Sequence, residues 1–127
     1  MFTFKATVVA VYDADTITVD VDLGFHQKSE HIKLRLFGID APEMRGPEKV
    51  EGAKSRDWLR DQILEQQVVI RTYKEGRGKG KYGRWLADVF AVDDLVPDAR
   101  GGLSLSADAV SFNQQLVNNG LAVTANY

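Results

Sequence analysis

Thr16-Ile17-Thr18-Val19-Asp20-Val21-Asp22-Leu23 alternates without a break, with Ile17, Val19, Val21 and Leu23 set against Thr16, Thr18, Asp20 and Asp22. Successive side chains of a β-strand point to opposite faces, so a period of two means one face in a core and one in water. Upstream, Phe2, Phe4, Ala6, Val8 and Ala10 alternate with Thr3, Lys5 and Thr7 in the same way. Downstream, a polar hairpin over 24–30 leads to Ile32, Leu34 and Leu36 on one side, with Lys33 and Arg35 on the other. Residues 2–39 therefore predict a three-stranded antiparallel meander, with Arg35 aimed away from the main apolar face.

Beyond the meander the period changes. From Pro47 to Gln66 it is helical, with Gly52, Ser55, Trp58, Leu59 and Ile63 on one side. Two small residues there allow close approach, and three large ones fill a core. Val68 to Tyr73 is rich in β-branched residues and predicts a fourth strand. Alternate glycines in Gly76-Arg77-Gly78-Lys79-Gly80-Lys81 predict a flexible basic loop. Trp85 to Val92 is the fifth strand. Residues 93–110, with Pro97, Gly101 and Gly102, carry little periodic signal and form a long excursion. Ser111-Phe112-Asn113-Gln114 matches a capping box for a second short helix, which Gly120 stops; Leu121 to Val123 suits a last strand. The fold class is mainly β with helices. It is a five-stranded, partly open barrel of the OB type, with a helix after the third strand and a short one near the C-terminus. All 127 residues are expected to form a single domain.

Hydrophobic residues make up 44% of the chain and charged residues 27%, ordinary for a soluble globular protein. With no cysteine, disulfides and thiolate metal sites are excluded, and any metal relies on oxygen or imidazole ligands. His26 and His31 lie near the hairpin and read as surface residues. No apolar run approaches a membrane span, and the N-terminus has no signal-peptide core, so an intracellular location is the default. The net charge of −2 argues against a purely electrostatic nucleic-acid binder. Its distribution matters more. Arg71, Lys74, Arg77, Lys79, Lys81 and Arg84 face one Glu75, whereas Asp88, Asp93, Asp94, Asp98 and Asp108 face one Arg100. Screening over about 8 Å lets a local basic face act despite the total.

The chemistry-bearing residues fall at strand ends. Asp15 sits where the first strand turns into the second, and Asp40 closes the third. Two anionic oxygens, with a main-chain carbonyl and waters, suit Ca²⁺ or Mg²⁺. Taken singly, either aspartate is as well explained by a turn. Glu43 follows Pro42 without a helical or strand role; it would accept a proton from an attacking water, or orient that water, or simply be a loop acid. Arg35 and Arg84 are each a fork for phosphate oxygens, or a solvated cation.

Together they form a pattern. Tyr12-Asp13-Ala14-Asp15-Thr16, then Leu34-Arg35-Leu36-Phe37-Gly38-Ile39-Asp40-Ala41-Pro42-Glu43, then Lys81-Tyr82-Gly83-Arg84-Trp85-Leu86-Ala87 resemble, in that order, the staphylococcal nuclease (thermonuclease) family. Asn113 through Leu116-Val117 to Gly120-Leu121-Ala122 resembles its second helix, more generically. The resemblance implies an OB barrel and a Ca²⁺-dependent phosphodiesterase acting on DNA and RNA. Water attacks phosphorus in line, the 5′ oxygen leaves, and 3′-phosphorylated fragments result. It implies Asp15, Asp40 and the Ala41 carbonyl as metal ligands, and Glu43 as general base or water-positioner. Arg35 and Arg84 stabilise the pentacoordinate phosphorus, Lys81 and Tyr82 contact a neighbouring phosphate, and Asp13 supports the ligands.

The chain also departs from that family. Its usual tyrosine pair after the second helix is out of register, with Asn126 and Tyr127 in that region, and its C-terminal helix is absent from these residues. Residues 93–110 read as an insertion that covers some of the surface left bare; a monomer is expected, with a dimer through this insertion the alternative. The acidic balance predicts salt-sensitive capture of long nucleic acid. The alternative function is a noncatalytic OB-type nucleic-acid-binding module. Against it stands the joint presence of Asp15, Arg35, Asp40, Glu43 and Arg84.

Overall fold

The computed structural model describes residues 2–73 and 85–125. Three strands form the expected meander: β1 (Phe2–Asp13), β2 (Thr16–Gly24) and β3 (Gln27–Leu36). The β2–β3 connection is tighter than the seven-residue loop expected. Gly24 pairs with Gln27, leaving Phe25 and His26 as a two-residue turn with φ of 54° and 61°. Positive φ at both central residues twists a hairpin in the sense its strands require. Both histidines are exposed, as expected.

After β3, Gly38 (φ 78°) reverses the chain into the two-residue strand β4 (Ile39–Asp40). The predicted helix is α1 (Lys49–Ile63), entered through a 3₁₀ turn at Gly46–Glu48, so it is shorter at both ends than the periodicity suggested. Strands β5 (Gln67–Thr72) and β6 (Trp85–Ala91) follow. The five long strands close into a barrel in the order β1-β2-β3-β6-β5. Closure comes from a parallel pairing of β3 with β6, where Leu34 meets Trp85 and Leu36 meets Ala87. β1 serves two neighbours: Phe2–Thr7 pair with β5, and Ala6–Asp13 with β2. Register shifts between Val8 and Ala10, and between Val11 and Asp13, bend the strand between these duties.

Inside lie Val8, Val11, Ile17, Val19, Leu34, Leu36, Val68 and Ile70, joined by Leu59 and Ile63 of α1. Trp58 is only partly buried, at the margin of that core. α1 packs mainly on β1. At its inner face Gly52 meets the Pro42–Glu43 backbone so closely that a Cβ there would lie 2.1 Å from the Glu43 carbonyl oxygen. The Ser55 hydroxyl donates to the Leu121 carbonyl at 2.7 Å.

Residues 93–110, expected as a long excursion without a predicted shape, contain a hairpin of β7 (Leu95–Pro97) and β8 (Leu103–Leu105). Asp98 organises its turn, accepting from the Arg100 and Gly102 amides at 2.9 Å each and from the Ser104 hydroxyl. These donors hold the Asp98 carboxyl below the usual carboxylate range. Residues 105–111 then run beside Arg71, Asp88 and Phe90 on the outer face of β5 and β6.

The second helix, α2 (Phe112–Asn118), forms where predicted, with half of the capping box. The Ser111 hydroxyl accepts from the Gln114 amide, but the Gln114 side chain turns forward to Asn118. Gly120 (φ 71°) ends the helix; the Leu121 amide bonds the Leu116 carbonyl and the Gly120 amide that of Val117. Within α2, Asn113 is 4% exposed. It donates to the Phe37 and Ala87 carbonyls and accepts from the Val89 amide, tying the helix to β6 and the end of β3. The last strand is β9 (Val123–Thr124), slightly later than expected, and it pairs with β4.

Two expectations test this architecture. Gly52→Ala forces α1 off the Pro42–Glu43 backbone and lowers stability by about 1–3 kcal/mol, measured by urea unfolding. On the outer face, the Tyr73 hydroxyl donates to Asp88, which also pairs with Arg71 at 3.1 Å. Burial, then the Asp88 carboxylate, raise the Tyr73 pKa above 10.0. A raised pKa contributes stability that is full below the unfolded value and is lost as pH climbs through the folded one. The stability difference between the wild type and Tyr73→Phe therefore shrinks above about pH 10. Urea titrations at successive alkaline pH values read it directly.

Candidate active site

Asp13-Ala14-Asp15-Thr16 makes the β1–β2 turn, with Asp13 paired to Thr16. The Asp13 carboxylate accepts the Asp15 amide at 3.2 Å, the habit that makes aspartate frequent in turns. It is thus Asp13 that serves the turn, whereas the sequence offers the turn explanation for Asp15. That explanation does not account for Asp15, whose side chain is turned inward and whose residue is only 3% exposed.

Among the described residues, several groups meet the Asp15 carboxylate. The Ala41 amide donates to it at 2.9 Å, the Thr16 hydroxyl at 3.2 Å, and the Arg35 guanidinium stands 3.3 Å away. Arg35 is placed by its pairing with Thr16 across β2–β3. The same guanidinium reaches Asp40 at 3.3 Å and donates to the Ile39 carbonyl at 3.2 Å. It therefore bridges the two aspartates. Asp40 is more exposed than Asp15 and is set by the pairing of β4 with β9, where it faces Val123. Ala41 is buried beneath it.

Glu43 is exposed, with Arg45 at 3.4 Å from its carboxylate. The Glu43 amide donates to Glu48, and its carbonyl lies against Gly52, so its backbone is held while its exposed side chain pairs with Arg45. Asp13, Asp15, Arg35, Asp40, Ala41 and Glu43 all line one cavity of about 740 Å³. Three separated stretches of sequence thus converge on one concavity. Lys81, Tyr82 and Arg84 lie outside the described residues.

Anionic crowding marks the site's electrostatics. Burial, and then the hydrogen bond and negative charge of Asp15, push the Asp13 carboxyl up to about 7. Among the described residues, no three His, Asp or Glu side chains cluster as a metal cage. The oxygen donors that line the cavity are the carboxylates of Asp13, Asp15, Asp40 and Glu43, with main-chain carbonyls beside them.

The same cavity has members that the sequence reading passed over: Tyr12, Thr18, Lys33, Met44, Arg45 and Arg60. Lys33 carried a usable signal, since it shares the outward face of β3 with Arg35. Arg60 carried none, because it arrives from α1, where its guanidinium donates to the Val11 carbonyl at 3.1 and 3.2 Å.

Two known proteins or protein groups resemble this chain in sequence. An uncharacterized protein of Methanocaldococcus jannaschii is 27% identical over 138 aligned positions, covering 94% of this chain and 58% of that protein. The chain therefore spans little more than half the length of that relative. The pattern defining the family described as "Staphylococcal nuclease homologue" matches residues 33–127, from the middle of β3 onward, and so includes Arg35, Asp40 and Glu43. With a closed five-stranded barrel and that match over most of its length, this chain belongs to the staphylococcal nuclease homologue family.

Proposed function

We propose that this chain is a Ca²⁺-dependent phosphodiesterase that cuts DNA and RNA to 3′-phosphorylated fragments. The observation that carries the reading is the Arg35 guanidinium standing between Asp15 and Asp40 in a cavity that Glu43 also lines. The family is one whose members generally hydrolyse nucleic acids, which supports a nuclease-type or nucleic-acid-binding module.

The donor set fits a hard divalent cation. Asp15 and Asp40 with the Ala41 carbonyl are oxygen ligands of the kind Ca²⁺ takes, completed by water. Burial is the main reason the Asp13 carboxyl is raised, and the negative charge of Asp15, which adds to it, is repulsion a cation would relieve. When bound, Ca²⁺ supplies Lewis-acid charge at the phosphate oxygens.

The remaining steps belong to the protein. Arg35 offers parallel N–H donors to equatorial phosphate oxygens, as Arg84 does by the resemblance. Glu43 faces water at the cavity and takes the proton of the attacking water, or orients it, as the new O–P bond forms opposite the departing 5′ oxygen. The P–O5′ bond breaks, the 5′ oxygen gains a proton, and the phosphate stays on the 3′ side. Lys81 and Tyr82, by the resemblance, contact a neighbouring phosphate.

Incubation of single-stranded DNA and RNA with the protein tests this. Cutting is expected with Ca²⁺ and not with EDTA, and Arg35→Lys should lower kcat by about 10²–10³-fold, the scale of one preorganised oxyanion donor. Glu43→Gln should lose most activity while keeping strand affinity. Full activity in EDTA or in Glu43→Gln would overturn the mechanism, and tight binding without cutting would point to the noncatalytic module. Ca²⁺ at a hundredfold excess over its Kd should raise unfolding free energy by about 2.7 kcal/mol and Tm by on the order of 10 °C. A flat Tm across the Ca²⁺ titration would remove the metal from the site.

A further inference from the structure

Residue pairings lay out the outward surface of the meander in rows. Ala10 on β1 faces Thr18 on β2, and Thr18 faces Lys33 on β3; one step along, Thr16 faces Arg35. Short side chains, Ala10, Thr16 and Thr18, make a floor in the cavity. Tyr12 stands at one side of it and Lys33 at the other, two strand spacings or about 10 Å across. The Tyr12 residue is 69% exposed and stabilises the fold little. Lys33 makes no ion pair among the described residues, and Arg60 is held beside Tyr12 by the Val11 carbonyl. The cavity volume of about 740 Å³ is that of a ligand site.

We propose that Tyr12 and Lys33 form a nucleotide subsite beside the scissile phosphate: one base stacks on the Tyr12 ring, and the adjoining phosphate meets the Lys33 ammonium. An aromatic face accepts every base, and a nearby cation follows the backbone, so the subsite holds a single strand without sequence preference. A duplex keeps its bases stacked on one another, which favours single-stranded substrate here. The subsite deepens the nuclease reading and rests on it for the position of the scissile bond. It also supplies an aromatic contact in place of the tyrosine pair that is out of register after α2.

Fluorescence anisotropy with labelled oligothymidylate in EDTA, and with the same strand made abasic, separates stacking from other effects. Tyr12→Leu should bind the thymidylate roughly tenfold more weakly and the abasic strand unchanged, and Tyr12→Phe should bind both as the wild type does. Lys33→Gln should weaken both strands and reduce the slope of log affinity against log salt by about 0.7. Equal thymidylate affinity in Tyr12→Leu and the wild type, or equal losses on both strands, overturns the subsite. Cutting of the thymidylate by the wild type with Ca²⁺ is scored separately. A stacking difference without cutting sinks only the catalytic reading; cutting without a stacking difference sinks only the subsite.

Discussion

The carboxylate of Asp15, almost sealed from water, is tolerated only because a guanidinium and two hydrogen-bond donors meet it. An isolated buried charge is expensive enough that it would otherwise neutralise or stay outside. Each partner comes from a different place: Thr16 from β2, Arg35 from β3, and Ala41 from the segment after β4. Satisfying one oxygen pair therefore fixes where three pieces of chain lie relative to each other. Asp40 is drawn into the same arrangement through Arg35, and Glu43 follows because Ala41 is pinned behind it and Gly52 in front.

Barrel closure serves the same end from beneath. The parallel pairing of β3 with β6 holds the strand that carries Arg35 from its far side, with Arg35 opposite Leu86. Asn113 adds a buried link between β6 and the Phe37 carbonyl, just before the Gly38 reversal that leads to Asp40. Packing, register and electrostatics thus converge on the placement of a few oxygen atoms.

Much of this was legible in the residues themselves. The alternation of 16–23 and of 32–36 predicted both strands and the outward direction of Arg35, because period two leaves no other assignment. Helix α1 was visible through its small and large inner residues, although its ends frayed inward from the expected limits. What could not be read was whatever depends on distant partners. The parallel closure has no local signature, and Asp98 could mark a turn only once its amide donors were known. Of the cavity members, Lys33 could be placed on the outward face of β3 with Arg35, but its common address with Tyr12 appears only when β1, β2 and β3 are laid side by side.

The short ladder between β4 and β9 carries a temporal consequence. Asp40 is held in place by Val123, and the Gly38 carbonyl by the Ala125 amide, so groups made early wait on groups made late. A chain emerging from the ribosome displays Asp15, Arg35 and Asp40 long before the stretch that braces them. Until then β4, which carries Asp40, has no β9 to pair with.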